Sequence, residues 1–156
     1  AVRDHPAPGG SSTTAVDPVN FARANAHDCT TPCQAIAAAF QIVLVPAGTT
    51  VQAPQNVALA TNVNCDHCGS FAFADQYVVN VARDVSLSGS ARHQIVALRQ
   101  EASQDVRAGL DYPTLDAKLH ALATRFHAVV DGDLTQQHVG EAHKHHFQTE
   151  KLNPAA

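Results

Sequence analysis

Two short segments concentrate the residues most able to do chemistry: Cys29-Thr-Thr-Pro-Cys33 and Cys65-Asp-His-Cys68-Gly69. A Cys-x-x-Cys followed by Gly is the knuckle of a zinc ribbon, where two such turns present four thiolates to one tetrahedral ion. The second segment fits that pattern. The first has three residues between its cysteines, one more than a knuckle uses. The alternative is a local disulfide in each turn, Cys29 with Cys33 and Cys65 with Cys68, which would staple the turn and fix its register. A third reading, a redox pair, expects the Cys-x-x-Cys to open a helix, whereas both segments lie between strand-like runs. Local disulfides are the reading adopted, with a four-cysteine zinc site as the alternative.

Histidine is the second candidate chemistry. The chain has ten, and His138, His143, His145 and His146 cluster near its end. Imidazoles at that density can take up zinc, copper or nickel, and they also suit a solvated polar tail. His27 and His67 flank the cysteine turns. His120 and His127 fall seven apart beside an apolar helical stripe and read as partly buried helix-flank residues.

Catalytic motifs are missing. The sequence has no Gly-x-Ser-x-Gly elbow, no phosphate-binding loop and no Gly-rich dinucleotide turn. His138-Val-Gly-Glu141-Ala-His143 has neither zinc-peptidase spacing. Asp131 and Asp133 resemble part of a calcium loop, but no Glu closes it.

The elements that position these residues come from a repeat. Asn20-Phe-Ala-Arg-Ala followed by Cys29 aligns with Asn56-Val-Ala-Leu-Ala followed by Cys65, an offset of 36. Beyond the second cysteine of each turn, Ala37-x-Ala39-x-Gln41-x-Val43 aligns with Ala72-x-Ala74-x-Gln76-x-Val78, an offset of 35. Each copy reads as strand, cysteine turn, strand, with one alanine-rich face and one bulky face that includes Phe21, Phe40, Val57, Leu59, Phe71, Phe73 and Tyr77. The bare face fits something packed very close to it.

From Ser88 the period becomes helical. Ala91, Ile95, Leu98, Ala102 and Val106 form one stripe, and Leu115, Leu119, Leu122, Phe126 and Val129 another. Ser88 or Ser90 can cap the first helix and Asp111, with Pro113 in the first turn, the second; Gly109 suits the break between them. The expected fold is α+β: two Cys-stapled β-hairpin repeats forming an antiparallel sheet, followed by an α-helical hairpin. The divisions are a flexible arm over 1–18, a two-repeat β module over 19–87, the helical hairpin over 88–133 and a polar, His-rich tail over 134–156 with a short helix near 138–147.

The repeat together with the hairpin resembles an exported bacterial domain with Ala-x-Ala strands and Cys-x-x-Cys turns. Sequences of that kind carry a helix like Ile95-Val-Ala-Leu98-Arg99 and a helical turn like Gly109-Leu110, and some are labelled peptide zinc metalloprotease proteins. The resemblance spans roughly residues 19–130. It implies an exported accessory module, without the peptidase activity, whose motif this chain lacks.

Bulk properties narrow the partners. A formal charge of -4 gives no basic footprint for nucleic acid. No apolar run is long enough for membrane insertion. Four cysteines and a first residue other than Met fit an extracellular or cell-envelope protein after signal-peptide removal. The function expected is a non-enzymatic structural or interaction module with no cofactor. It would bind a second copy of itself or a cell-envelope protein, through sheet edges that carry little charge. The alternative is a metal-binding protein using Cys29, Cys33, Cys65 and Cys68, or His138, His143, His145 and His146, for zinc or copper.

Overall fold

A computed structural model describes residues 15–29, 33–51, 54–65, 67–82, 85–139 and 143–154. Most of the expected arm (residues 1–14), Thr30, Thr31, Pro32, Asp66, Arg83 and Asp84 lie outside the described residues. The elements run β1 (Ala15–Val16), β2 (Val19–His27), β3 (Gln34–Pro46), β4 (Thr50–Val51), β5 (Gln55–Val63), β6 (Gly69–Val81), α1 (Gly89–Arg107), α2 (Tyr112–Gln136) and β7 (His143–Asn153). The class is α+β, as expected.

The strand pairing differs from the expected hairpins. Strands β2 and β3 of one repeat do not pair; β2 pairs in parallel with β5, β3 with β6 and β1 with β4. Each repeat is one coil, and the second coil stacks beneath the first. The register matches like with like: Asn20 on Asn56, Ala22 on Ala58, Ala24 on Ala60, Ala37 on Ala72, Ala39 on Ala74 and Gln41 on Gln76. Side-chain alternation is the same in an antiparallel hairpin and in a parallel stack, so period alone does not separate them. Identical residues at a constant offset do, because only in-register parallel strands put a residue on its repeat counterpart, where amides form ladders.

The corners repeat as well. Asp28 and Asn64 both take left-handed backbone conformations, with φ of 51° and 50°. Asp and Asn tolerate that region better than other non-glycine residues. The two coils are tied there by Asp28 N–H donating to Val63 O at 3.1 Å.

Within each coil the alanines of the two strands face each other. Ala22, Ala24, Ala60, Ala72 and Ala74 form a thin buried layer between sheet β2–β5 and sheet β3–β6–β7. Small side chains let two sheets approach more closely than the ordinary spacing of about 10 Å. The bulky face of β3 and β6 looks the other way, and the helical hairpin covers it. Phe71, Phe73, Tyr77 and Val79 pack with Ile95, Leu98, Leu115, Leu119, Leu122 and Phe126 in the main core.

Helix α1 starts at Ser88, whose hydroxyl accepts from Ala91 N–H at 3.2 Å. Gly109, at φ 67°, lets the chain turn between the helices. Asp111 caps α2 by accepting from Thr114 N–H at 2.9 Å. Helix α2 does not stop at Asp131–Asp133 as expected. Asp133 accepts from Ser88 N–H and from the Gln137 side chain, and buried Leu134 carries the apolar stripe one turn further.

The His-rich tail also differs from expectation. In place of a short helix, His143–Asn153 forms β7, antiparallel to β6 and next to the second coil. The segment is polar nearly throughout, so its strand form comes from the edge of β6, which pairs with it from Ser70 to Asn80, rather than from a periodicity of its own.

Candidate functional site

Stacking the repeats brings the cysteines of both turns together. Cys29 and Cys33 lie at disulfide distance, and so do Cys65 and Cys68. These are the pairs expected within repeats. The stack adds a second relationship. Cys33 Sγ lies 3.5 Å from Cys65 Sγ and 2.9 Å from Cys68 Sγ, and all four sulfurs lie within 4.8 Å of one another. Cys68 is buried and the other three are partly buried. Such a cluster can hold two stacked disulfides or, reduced, offer four thiolates to one soft ion. His27 is not part of it; its Nδ1 faces the Asp28 carboxylate at 2.7 Å on the surface. His67 is exposed.

The four tail histidines are not gathered into one site. His138 follows α2 and is exposed, while His143, His145 and His146 lie along β7. Alternation puts His146 on the opposite face from His143 and His145.

His146 instead meets two residues from elsewhere. Asp75, in the middle of β6, is only 2% exposed and sits on the helix-facing side between Phe73 and Tyr77. One carboxylate oxygen lies 2.9 Å from His127 Nε2 on α2, and the other 2.7 Å from His146 Nε2 on β7. A buried carboxylate is stable only with such partners. The His127 ring stacks on Tyr77, with centroids 4.2 Å apart, and meets the His146 ring edge-on at 4.5 Å. The Tyr77 hydroxyl donates to Asp131 at 2.8 Å, and Lys144 pairs with the same carboxylate. Burial, then the bond to Asp131 and its charge, pushes the Tyr77 phenol well above its usual value.

A similar, more open group lies further along the seam between α2 and β7. His120 Nε2 is 3.4 Å from Asp116 and 3.1 Å from Glu150. Burial, then the neighbouring Glu150, raises the Asp116 pKa. The seven-residue spacing of His120 and His127 thus aims both at β7, a relation the helical stripe alone did not reveal. The available signal was Asp75 itself, a carboxylate among apolar strand residues that requires a partner when buried.

A third feature is the outer edge of the first coil. Among the described residues, β2 pairs only with β5 and β3 only with β6, so each leaves one edge unpaired. The opposite end is covered: β7 pairs with β6 and reaches β5, where Asn56 Nδ2 donates to Phe147 O and Thr149 Oγ1 to Asn56 O. The outer face of β2 and β5 carries exposed apolar residues, Val19 52%, Phe21 51% and Val57 39%, among polar ones such as Arg23, Asn25 and Gln55. No helix is long and apolar enough to cross a membrane among the described residues.

Comparison with protein-family models, with curated proteins and with solved structures gave no match.

Proposed function

We propose that this chain is an exported, non-enzymatic interaction module that joins a second copy of itself through the open edges of its first coil. The observation that supports this reading is the difference between the two ends of the stack: β7 pairs with β6 at one end, while among the described residues β2 and β3 have unpaired edges at the other. Exposed strand edges are templates for another strand and are usually blunted by Lys, Pro or bulges. Here β2 carries one charged side chain, Arg23, and neither β2 nor β3 contains Lys; Pro46 stands only at the last position of β3. Two first coils meeting edge to edge about a two-fold axis would use the same surface on both copies and so form a closed dimer. The exposed Val19, Phe21 and Val57 on the outer face of β2 and β5 lie beside that edge and would extend the contact.

Light scattering over a concentration series tests the dimer. The full chain is expected to give twice the monomer mass, and Phe21→Lys, which places a charge beside the edge, is expected to shift it to monomer. A monomer at high micromolar concentration overturns the proposal. So does a monomer that dimerises only after residues 1–14 are removed, because that segment would then be the occupant of its own edge.

The cysteine cluster favours a second reading, a four-thiolate zinc site. It rests on the sulfurs of both repeats lying within 4.8 Å of one another. Intact mass under denaturing conditions, with and without reductant, separates the two states. A gain of four hydrogens on reduction means two disulfides. Four free thiols with one zinc per native chain would establish the metal site.

A further inference from the structure

We propose that Asp75, His127 and His146 form a binding site for a divalent transition-metal ion of the zinc type, which pins β7 to β6 and α2. Three elements distant in sequence converge on this point, and each contributes one ligand atom: a carboxylate oxygen and two Nε2 atoms, all within 4.8 Å of one another. Metal–ligand bonds of about 2.0–2.2 Å place adjacent ligand atoms roughly 3–3.5 Å apart. The two Nε2–oxygen separations, 2.9 and 2.7 Å to different carboxylate oxygens, are a few tenths of an ångström shorter, so an ion would have to widen them by that much.

The ligands are held before any ion arrives. Asp75 is fixed on the central strand of its sheet, and His127 is pressed against Tyr77. His146 is braced edge-on by His127. Access comes from the β7 side, where the His146 side chain is 44% exposed, and water can complete the coordination there. Two imidazoles with one carboxylate suit zinc and its neighbours; calcium and magnesium prefer sets made of oxygen alone. An ion here would take the place of the two hydrogen bonds that now hold the Asp75 oxygens. The Asp116, His120 and Glu150 group offers one imidazole in a more exposed setting and serves as the internal comparison.

The test is calorimetric titration of zinc chloride into the full-length chain under non-reducing conditions, with free thiols blocked. One ion per chain is expected, together with a rise in melting temperature. His146→Gln is expected to weaken binding at least about tenfold. His120→Gln and the pair His143→Gln with His145→Gln are expected to leave it unchanged. Absence of binding at micromolar zinc, equal binding by His146→Gln, or loss of binding in the His143, His145 pair overturns the proposal. Should His146→Gln fail to fold, imidazole nitrogen resonances of the unmutated chain decide: zinc shifts Nε2 of His127 and His146 if they ligate, and unmoved resonances refute the site.

Discussion

Asn20 stands one coil above Asn56, and its side-chain amide donates to the Asn56 side-chain oxygen over 3.0 Å. The same Asn20 amide reaches the backbone oxygens of Ala39 and Asp75, while the Asn56 amide reaches those of Ala74 and Phe147. One stacked pair therefore ties β2, β3, β5, β6 and β7 together. Gln76 repeats the device, donating to the Gln41 side-chain oxygen at 2.7 Å. Buried amides used this way hold the stack in register, because a slip of one residue leaves them without partners.

Asn56→Ala tests that role. It removes the acceptor used by Asn20 and leaves two carbonyls without their donor. The expected cost is about 2–4 kcal/mol, from roughly 1–3 kcal/mol per buried group left unsatisfied. Urea unfolding measures it, and a change under about 0.5 kcal/mol would mean that water replaces the amide freely.

The helical hairpin stands on its apolar stripe. Leu119 is fully buried between the helices and the sheet. Leu119→Ala is expected to cost about 2–5 kcal/mol, the range for truncating a core leucine. An unchanged melting temperature would show that α2 packs differently.

Gly69 starts β6 beneath the Tyr112 ring, and a Cβ there would run into the Tyr112 hydroxyl. Gly69→Ala is expected to destabilise by about 1–3 kcal/mol, as overpacking does. Adding Tyr112→Ala should make the glycine substitution nearly neutral. Additive effects in the double-mutant cycle would contradict the contact.

Non-reducing peptide mapping is expected to find Cys29 joined to Cys33 and Cys65 to Cys68. Each closes a short loop, so losing one pair should cost under about 3 kcal/mol. A link between Cys33 and Cys68, whose sulfurs also approach closely, would place the covalent tie between the coils.

Asp116 sets a pH dependence. Burial, then the neighbouring Glu150, raises its pKa, so the folded chain holds this proton more tightly than the unfolded chain does. Its contribution to stability is then fully present below the unfolded value and is lost as pH rises through the folded one. Asp116→Asn is expected to stabilise more at neutral pH than in acid, by comparison of melting temperatures. An equal shift at both pH values would refute it.

Much of this architecture is local and was legible in the sequence. The two helices follow from apolar residues three and four apart, with Ser88, Asp111 and Gly109 marking their ends, because those signals act within one or two turns. The strands follow from alternation, and the cysteine pairs from their short separation. Three things were settled only by tertiary structure. Whether Ala22 and Ala37 belong to a hairpin or to a coil depends on which strand pairs with which, and alternation is blind to that. The fate of the His-rich tail depended on the free edge of β6, an element more than sixty residues earlier, which gave β7 its hydrogen-bond partners. The meeting of Asp75, His127 and His146 needed all three elements in place. No spacing along a chain encodes a contact between residues 52 and 71 positions apart; only the burial of Asp75 demanded that partners be found.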